Sequence, residues 1–398
     1  MLFSAIDWGQ VFEQPIVSVV AAGLVVGPTA LAITMLWAQK KREIGDLKEQ
    51  TRFGQFDKHN LRKLFDDTVK KLGLPRGRVP VYITADKSLN AMAVRLGILG
   101  FVRSLNGIYL NRQLLHRLEP EEVQDIMGHE LGHYYRHYLV SMRLEGLNLV
   151  VGGMLGLFVT QWMGFTDGFS IIAAMVVGSV FGKVSSLLWA QYGPTIEYLC
   201  DDLGAQVHGV HWSISGLLKL GVDSETQVQI YREAILSRKA GQLSPREVVE
   251  SIERATPYGD VSREELEKRV QAAMKEQASK PNELSVMGFL DYMWNSEKNQ
   301  DIDEQLEEQA KTYAALEALP RLDWESTLSD PGVVHYDEYS LHRLIEKIEA
   351  EPEKALFRLP QEVGVVADVH PPLKDRILYL WHNRREIDAA ARMAGQSI

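Results

Sequence analysis

Two histidines and a glutamate within residues 129–133 carry the clearest chemical signal in the sequence. His129 and His133 are four positions apart, and Glu130 directly follows the first of them. On an α-helix, residues at this spacing leave the same face, so both imidazoles can reach one metal ion. Glu130 lies about 100° further round the helix, where it can hold a water molecule bound to that ion. The motif therefore predicts a metal site with a general base beside it.

Zinc suits this set of donor atoms. It binds neutral imidazole nitrogen readily, keeps one position for water and lowers the pKa of that water to about 7. A glutamate beside the ion accepts the proton as the water attacks a peptide carbonyl, and returns it to the departing amine. One Zn²⁺ per chain is therefore expected, with His129 and His133 as ligands and Glu130 as the base. The alternative is a chance match or a purely structural metal site.

An acidic pair further along the chain supplies the missing ligand. Glu197 and Asp201 are also four positions apart, and on a helix they share one face. Glu197 is predicted to bind the metal, and Asp201 to hydrogen-bond a ligating histidine. Cys200 would point to a different face and is interpreted as a small core residue. Most acidic pairs at this spacing are solvated helix surface, so the interpretation depends on the preceding motif.

The last predicted helix begins behind two prolines. Pro371 and Pro372 fix the entry into a helix that runs to about residue 394. His370 stands just before this helix, where it can donate a hydrogen bond to the oxyanion formed during attack, and Arg376 stands within it. A surface histidine in front of a proline-started helix is the alternative.

Charge and cysteine content limit the class of protein. The net charge of −10 argues against nucleic acid as a partner, because phosphate-binding surfaces need clustered Lys and Arg. Residues 203–369 contain 31 acidic and 18 basic residues, and 18 − 31 gives −13 for this region alone. The asymmetry predicts a separate, solvated helical region, which could bind a protein partner. Cys200 is the single cysteine, so no internal disulfide forms.

Uncharged stretches predict that the protein spans a membrane. Residues 16–38 carry no charge and, as a helix, exceed the ~30 Å hydrocarbon layer. The basic residues 40–42 place the N-terminus outside and the following chain in the cytosol. Residues 147–190 predict a transmembrane hairpin, with Gly152 and Gly178 on faces suited to close packing; buried or re-entrant helices are the alternative. We therefore expect a multi-pass protein of the cell (inner) membrane whose active site faces the cytoplasm.

Helical patterns dominate the remaining sequence, with a few short strands. Strands are predicted at residues 79–83, 90–94 and 107–110, and Pro80 favours an edge position for the first. The predicted fold class is mainly α with a small β-sheet, an α+β catalytic domain with transmembrane helices. The predicted segments are an extracytoplasmic N-terminus at 1–15, a transmembrane helix at 16–38, the first catalytic part at 39–146, the transmembrane hairpin at 147–190, the helix of the third ligand at 191–205, an acidic helical insertion at 206–364 and a closing helix at 365–398.

These motifs together resemble the family of membrane-bound zinc endopeptidases that includes the bacterial protease HtpX and the CAAX prenyl proteases. The resemblance depends on four motifs: NAMA at 90–93, GHELGH at 128–133, EYLCD at 197–201 and HPPLKDRI at 370–377. It implies a zincin-like (gluzincin) domain. The implied roles are zinc ligands for His129, His133 and Glu197, the general base for Glu130, a ligand-orienting group for Asp201, and positions near the transition state for His370 and Arg376.

The resemblance also implies a substrate site and a task. Asn90, Ala91, Met92 and Ala93 would form an edge strand to which a substrate backbone adds as an extra strand. The implied partners are the lipid bilayer and protein or peptide substrates, and the implied task is hydrolysis of misfolded or membrane-associated proteins in quality control. The acidic stretch is longer than in HtpX, and one apolar segment precedes the motif where HtpX shows two. Processing of prenylated proteins, or a non-catalytic membrane adaptor or chaperone working through the acidic helices, remain as alternatives.

Overall fold

A computed structural model describes most of the chain and groups it into two compact units. The described residues are 6–7, 34, 40–75, 79–85, 89–95, 103–136, 145–164, 176–178, 180–181, 184, 192–240, 249, 263–279, 311–328, 336–359 and 370–396. The first unit comprises Met1–Lys40, Val94–Gly107 and His133–Ile196, and the second comprises Lys41–Ala93, Ile108–Gly132 and Glu197–Ile398.

Among the residues that the structure describes, six short strands form two small sheets. The strands are β1 (Lys41–Glu43), β2 (Arg52–Phe53), β3 (Phe56–Asp57), β4 (Val81–Thr84), β5 (Ala91–Val94) and β6 (Gly107–Asn111). The larger sheet has the order β1-β4-β6-β5, and β2 pairs with β3 in the smaller one. Strand β4 runs antiparallel to β1 and parallel to β6. The three strands predicted from sequence are confirmed.

The prediction that Pro80 places its strand at an edge is wrong. β4 lies between β1 and β6. Pro80 stands one residue before β4, and its carbonyl oxygen accepts a hydrogen bond from the backbone N–H of Ile108 at 3.0 Å. The missing N–H of proline is therefore not needed by the ladder. The extra neighbour, β1, is a charged three-residue segment without a strand pattern, so the sequence does not predict it.

Helices supply most of the regular structure, as predicted. They are α1 (Lys58–Lys71), α2 (Leu114–Arg117), α3 (Pro120–Tyr135), α4 (Glu145–Trp162), α5 (Gly193–His208), α6 (Val210–Ala240), α7 (Arg263–Ser279), α8 (Glu338–Ala350) and α9 (Leu373–Gln396). Helix α3 begins at a proline, whose missing N–H is unneeded in the first turn. Two acidic residues follow it and favour the positive end of the helix dipole. The fold is thus mainly helical with a small β-sheet.

Helices α3 and α5 approach closely because glycines line the contact. A Cβ atom built on Gly132 would lie 3.0 Å from the Sγ of Cys200, and one on Gly128 would lie 3.0 Å from the Cα of Gly204. Separations this short are tighter than nearly all Cβ contacts in proteins, so a side chain on either glycine would have to push its neighbours aside. Cys200 is fully buried in the contact, which confirms its interpretation as a core residue. The glycines therefore set the distance between the two helices that carry the predicted metal ligands.

A large apolar cluster joins α6, α8 and α9 in the second unit. Ile214, Trp324, Leu344, Phe357 and Ile377 are all essentially inaccessible to solvent in this cluster. The cluster draws residues from both ends of the region predicted as an acidic insertion. The last helix, which carries the HPPLKDRI motif, therefore shares its core with that region.

The distal half of α6 carries a second, smaller apolar cluster. Ile230 packs there with Leu266 and Val270 of α7. A buried ion pair between Arg269 and Asp223, with an N–O distance of 2.9 Å, fixes α7 against α6. The sequence shows separate helical patterns at residues 214–220 and 226–240, whereas the structure has the single 31-residue helix α6.

In the first unit, α4 packs closely against the helical residues 176–178. A Cβ atom on Gly152 would lie 2.7 Å from the carbonyl oxygen of Gly178, so the predicted close packing is confirmed here. Within the described ranges, no helix has the length and apolar content required to span a membrane. The predicted transmembrane helix at 16–38 falls, apart from Thr34, outside the residues that the structure describes.

Candidate metal centre

Helices α3 and α5 bring together the three predicted metal ligands. His129, His133 and Glu197 each offer one ligand atom, and these atoms lie within 4.8 Å of one another. The Nε2 of His129 is 3.5 Å from the Oε2 of Glu197. Two ligands of a tetrahedral ion at about 2.1 Å are separated by about 3.4 Å. Two imidazoles and a carboxylate at these distances fit a single zinc-like ion.

Asp201 fixes the orientation of His129. One carboxylate oxygen of Asp201 lies 2.9 Å from the Nδ1 of His129, and both side chains are buried. The N–H of Nδ1 donates to this carboxylate, which leaves Nε2 as the atom that can bind a metal. This contact is the one that the spacing of Glu197 and Asp201 predicts, one helical turn apart on α5.

Arg376 reaches from α9 to hold Asp201. Its Nε and Nη2 atoms donate to the two carboxylate oxygens of Asp201, at 2.8 Å and 2.5 Å. Burial alone would raise the pKa of Asp201, but the charge and hydrogen bonds of Arg376 and His129 outweigh burial and lower it. Asp201 is therefore ionised, and three buried side chains form one connected network.

The two carboxylates also govern the protonation of His129. Burial disfavours the charged imidazole, but hydrogen bonds to Asp201 and Glu197 and their negative charges outweigh burial and raise the pKa of His129 to about 10. Without a metal, the imidazolium satisfies both carboxylates, and a metal must displace one proton to bind. Burial raises the pKa of the Cys200 thiol, so this cysteine stays neutral and does not compete as a ligand.

His370 contacts one of the predicted ligands, and Glu130 directly follows another in the sequence. The Nδ1 of His370 is 2.7 Å from the Oε2 of Glu197, and about half of the His370 side chain is exposed. Glu130 is buried next to His129 in α3. The structure thus places His370 against a ligand, whereas Arg376 contacts the buried Asp201.

The predicted substrate strand is the last strand in the sheet order within the described residues. The carbonyl oxygen of Asn90 accepts from the backbone N–H of Asn111 at 3.1 Å, which joins this strand to β6. The side chain of Asn90 accepts from the N–H of Ala91 at 2.8 Å. In β5, Met92 is exposed, while Ala91 and Ala93 are half-buried.

Sequence reasoning missed two groups around the centre. Tyr379 donates to Asp202 at 2.8 Å and stacks on Tyr198 with ring centroids 4.7 Å apart. The sequence offers one signal for Tyr379: it lies one helical turn after Arg376. Since Arg376 meets Asp201, a residue one turn later can meet the neighbouring Asp202. The second missed group is Asp125, a buried acid of α3 one turn before His129. The signal in the sequence is that an acidic residue at this spacing shares the helix face of His129.

That acid, Asp125, accepts a hydrogen bond from the hydroxyl of Ser213 in α6. Burial raises the pKa of Asp125, and the hydrogen bond from Ser213 offsets this only in part, so that the pKa is about 7. This carboxyl is therefore protonated over much of the acidic range.

Two imidazoles one turn apart on one helix and a carboxylate from a second helix form a candidate metal site of the HExxH type. Residues 56–220 match the model of peptidase family M48. This match covers about two fifths of the chain and supports an HtpX-like relative of that family.

Curated relatives named Protease HtpX match in the same region. The protein of Acinetobacter baumannii (strain AYE) is 28% identical over 134 residues, which cover 30% of this chain and 44% of the relative. The protein of Xylella fastidiosa is 26% identical over 184 residues, covering 42% and 61%. That of Histophilus somni is 27% identical over 196 residues, covering 47% and 66%. The chain thus spans about half the length of the curated relatives it matches, and no solved structure matches it.

Proposed function

We propose that the protein is a membrane-anchored zinc endopeptidase whose active site is the centre formed by His129, His133 and Glu197. The buried network that orients His129 carries the proposal. A carboxylate and a guanidinium at 9% exposure or less are costly to bury unless they fix something, and here they fix the Nε2 atom of a ligand. The match of residues 56–220 to a peptidase family and the relatives named Protease HtpX support the same activity.

The chain's own residues divide the catalytic work. Zinc, when bound, polarises the peptide carbonyl and lowers the pKa of the attacking water. Glu130 accepts the proton of that water and passes it to the departing amine. His370 donates a hydrogen bond to the oxyanion, because its half-exposed imidazole stands beside Glu197. Arg376 and Asp201 act through His129 by holding it in place.

Substrate binding is assigned to β5. A peptide in extended form adds its backbone to the edge of this strand, so that main-chain hydrogen bonds supply affinity. Recognition of this kind distinguishes side chains weakly, and it suits unfolded segments of misfolded or membrane-associated proteins. The exposed side chain of Met92 lies in this strand and would contact such a segment.

Membrane anchoring draws on the sequence and on one surface feature. Residues 16–38 carry no charge. In the first unit, Val176, Val180 and Val184 recur every fourth position in a helical stretch and are about half exposed. Trp162 at the end of α4 is 80% exposed. Water disfavours so much exposed apolar surface, whereas lipid accepts it. Recovery of the protein with membranes after an alkaline carbonate wash is the expected result, and recovery in the soluble fraction would contradict anchoring.

Cleavage of an unfolded protein tests the activity. Detergent-solubilised, zinc-loaded protein should cleave casein, and Glu130→Gln should lose most of this activity, by about 10²-fold or more, because the general base is gone. Zinc content should be unchanged, since Glu130 is not a ligand. Glu349→Gln, an exposed glutamate of α8, is the matched control and should cleave normally. Zinc-loaded protein that leaves casein intact would favour the non-catalytic adaptor.

A further inference from the structure

The metal ligand His133 stands in the last turn of α3, where a helix is least stable. The helix ends at Tyr135. Its last carbonyl groups have no partner further along the helix, and such ends fray unless another group holds them. A ligand in this position keeps its geometry only if the turn is fixed from outside the helix.

Arg95 holds this turn. Its Nη1 atom donates to the carbonyl oxygen of Tyr134 at 3.1 Å. Its guanidinium also lies 5.4 Å from the centroid of the Tyr134 ring. A cation at the C-terminal end of a helix is favoured by the helix dipole, and a guanidinium over an aromatic ring gains a further attraction. Two separate contacts thus attach one arginine to the residue next to His133.

The position of Arg95 in the chain connects this turn to the substrate strand. Arg95 directly follows Val94, the buried last residue of β5. One side chain therefore joins the end of the strand that we assign to the substrate with the helical turn that carries a metal ligand. The motif NAMA at 90–93 ends two residues earlier, so it does not include Arg95.

We propose that Arg95 is a positioning residue that couples peptide binding on β5 to metal binding at His133. The inference rests on the proposed function, because it takes β5 as the substrate strand and His133 as a zinc ligand. A peptide that pairs with β5 restricts the motion of the strand end and of Arg95, which in turn restrains the last turn of α3. Peptide and zinc then strengthen each other's binding, and the coupling is reciprocal.

The rate of zinc loss to a chelator measures this coupling without any need for turnover. The measurement uses the full chain in detergent, loaded with zinc and carrying Glu130→Gln so that casein binds without being cut. Casein should slow zinc loss. With Arg95→Ala added, zinc loss without casein should be roughly fivefold faster, and the effect of casein should largely disappear.

A second arginine with the same two kinds of contact provides the matched control. Arg343 in α8 donates to the carbonyl oxygen of Ser326 at 2.9 Å and lies 5.8 Å from the centroid of the Tyr339 ring. Arg343→Ala in the same background should leave zinc loss and the effect of casein unchanged. Arg95→Lys should retain part of the coupling, since an ammonium group keeps the charge but not the planar fork.

Each result decides the inference. The inference is wrong if adding Arg95→Ala to Glu130→Gln changes neither the rate of zinc loss nor the effect of casein on that rate. It is also wrong if casein does not slow zinc loss in the protein that carries Glu130→Gln alone. If Arg95→Ala does not fold, Arg95→Lys decides by the same two rates. Failure of the proposed function gives a different result, because wild-type protein would then bind zinc and casein without cleaving casein.

Discussion

The two sides of the metal centre differ in their exposure to solvent. On the inner side, Asp201 binds His129 and is itself held by Arg376, and all three residues are less than 10% exposed. On the open side, His370 contacts Glu197 while half of its side chain remains accessible. Under the proposed function, we expect the inner side to fix the geometry of the ligands and the open side to meet the substrate.

This contrast has an energetic basis. A buried carboxylate is stable only while its partners remain, so the inner network cannot lose one member without leaving a charge in a poorly solvated place. An exposed imidazole is solvated in any case, and its removal still leaves Glu197 beside His129 and within reach of a bound metal ion. Substitutions on the inner side should therefore affect folding, and those on the open side should affect turnover.

Arg376→Ala tests the inner side and should have the largest effect. It leaves the Asp201 carboxylate buried with its main cation missing, which is expected to lower the free energy of unfolding by about 3–5 kcal/mol. Urea unfolding with and without zinc measures the change. The double variant Asp201→Leu with Arg376→Met removes both charges and should lose less stability than Arg376→Ala alone. If Arg376→Ala lowers the free energy of unfolding by less than about 1 kcal/mol, the inner side does not govern stability more than the open side does.

His370→Ala tests the open side. Loss of a hydrogen bond made only in the transition state is expected to lower kcat on casein by about 10²-fold. The free energy of unfolding should stay within about 0.5 kcal/mol of wild type, because the side chain is half exposed. His382→Ala, an exposed histidine of α9 paired with Glu349, is the control and should leave both quantities unchanged. A fall in stability without a fall in kcat would assign His370 to the inner side instead.

Asp125→Asn tests how the stability of the inner side depends on pH. Asp125 has its pKa raised by burial to about 7, so its folded form binds a proton more tightly than its unfolded form. Its contribution to stability is therefore complete below the unfolded pKa and is lost as the pH rises through about 7. Between pH 5.5 and 8.5, wild type should lose roughly 2 kcal/mol relative to Asp125→Asn, as measured by urea unfolding at both values. Parallel pH curves for the two proteins would show that Asp125 is solvated.

The site is more predictable from the sequence than its surroundings. His129, His133 and Glu197 are predicted because the helical period alone places residues four apart on one face. The contact of Asp201 with His129 follows from the same period. Arg376 lies 175 residues from Asp201 along the chain, and no local pattern can indicate which buried acid it pairs with.

The parts of the fold that escape prediction depend on contacts distant in sequence. Strand β1 has no alternation of its own and forms because β4 offers a partner. The sequence does not predict the interior position of β4, because Pro80 stands one residue before the strand. Its carbonyl oxygen bonds to β6, and its missing N–H is not needed. The helical patterns that the sequence shows before the last predicted helix end at residue 319, so they do not predict α8, although its apolar face packs into the same core as α9. Tertiary burial, and not local propensity, decides these elements.

The ion pair between Glu225 and Arg321 joins positions that are 96 apart in the chain, with a Nε to Oε1 distance of 3.0 Å. Residues 225 and 321 therefore lie next to each other beside the common core of α6, α8 and α9. Such a junction tolerates changes in the length of the intervening chain, since doubling a closed segment adds only about 0.6 kcal/mol of closure entropy. We therefore expect segments of different length between residues 225 and 321 to be exchangeable without disturbing the core of α6, α8 and α9.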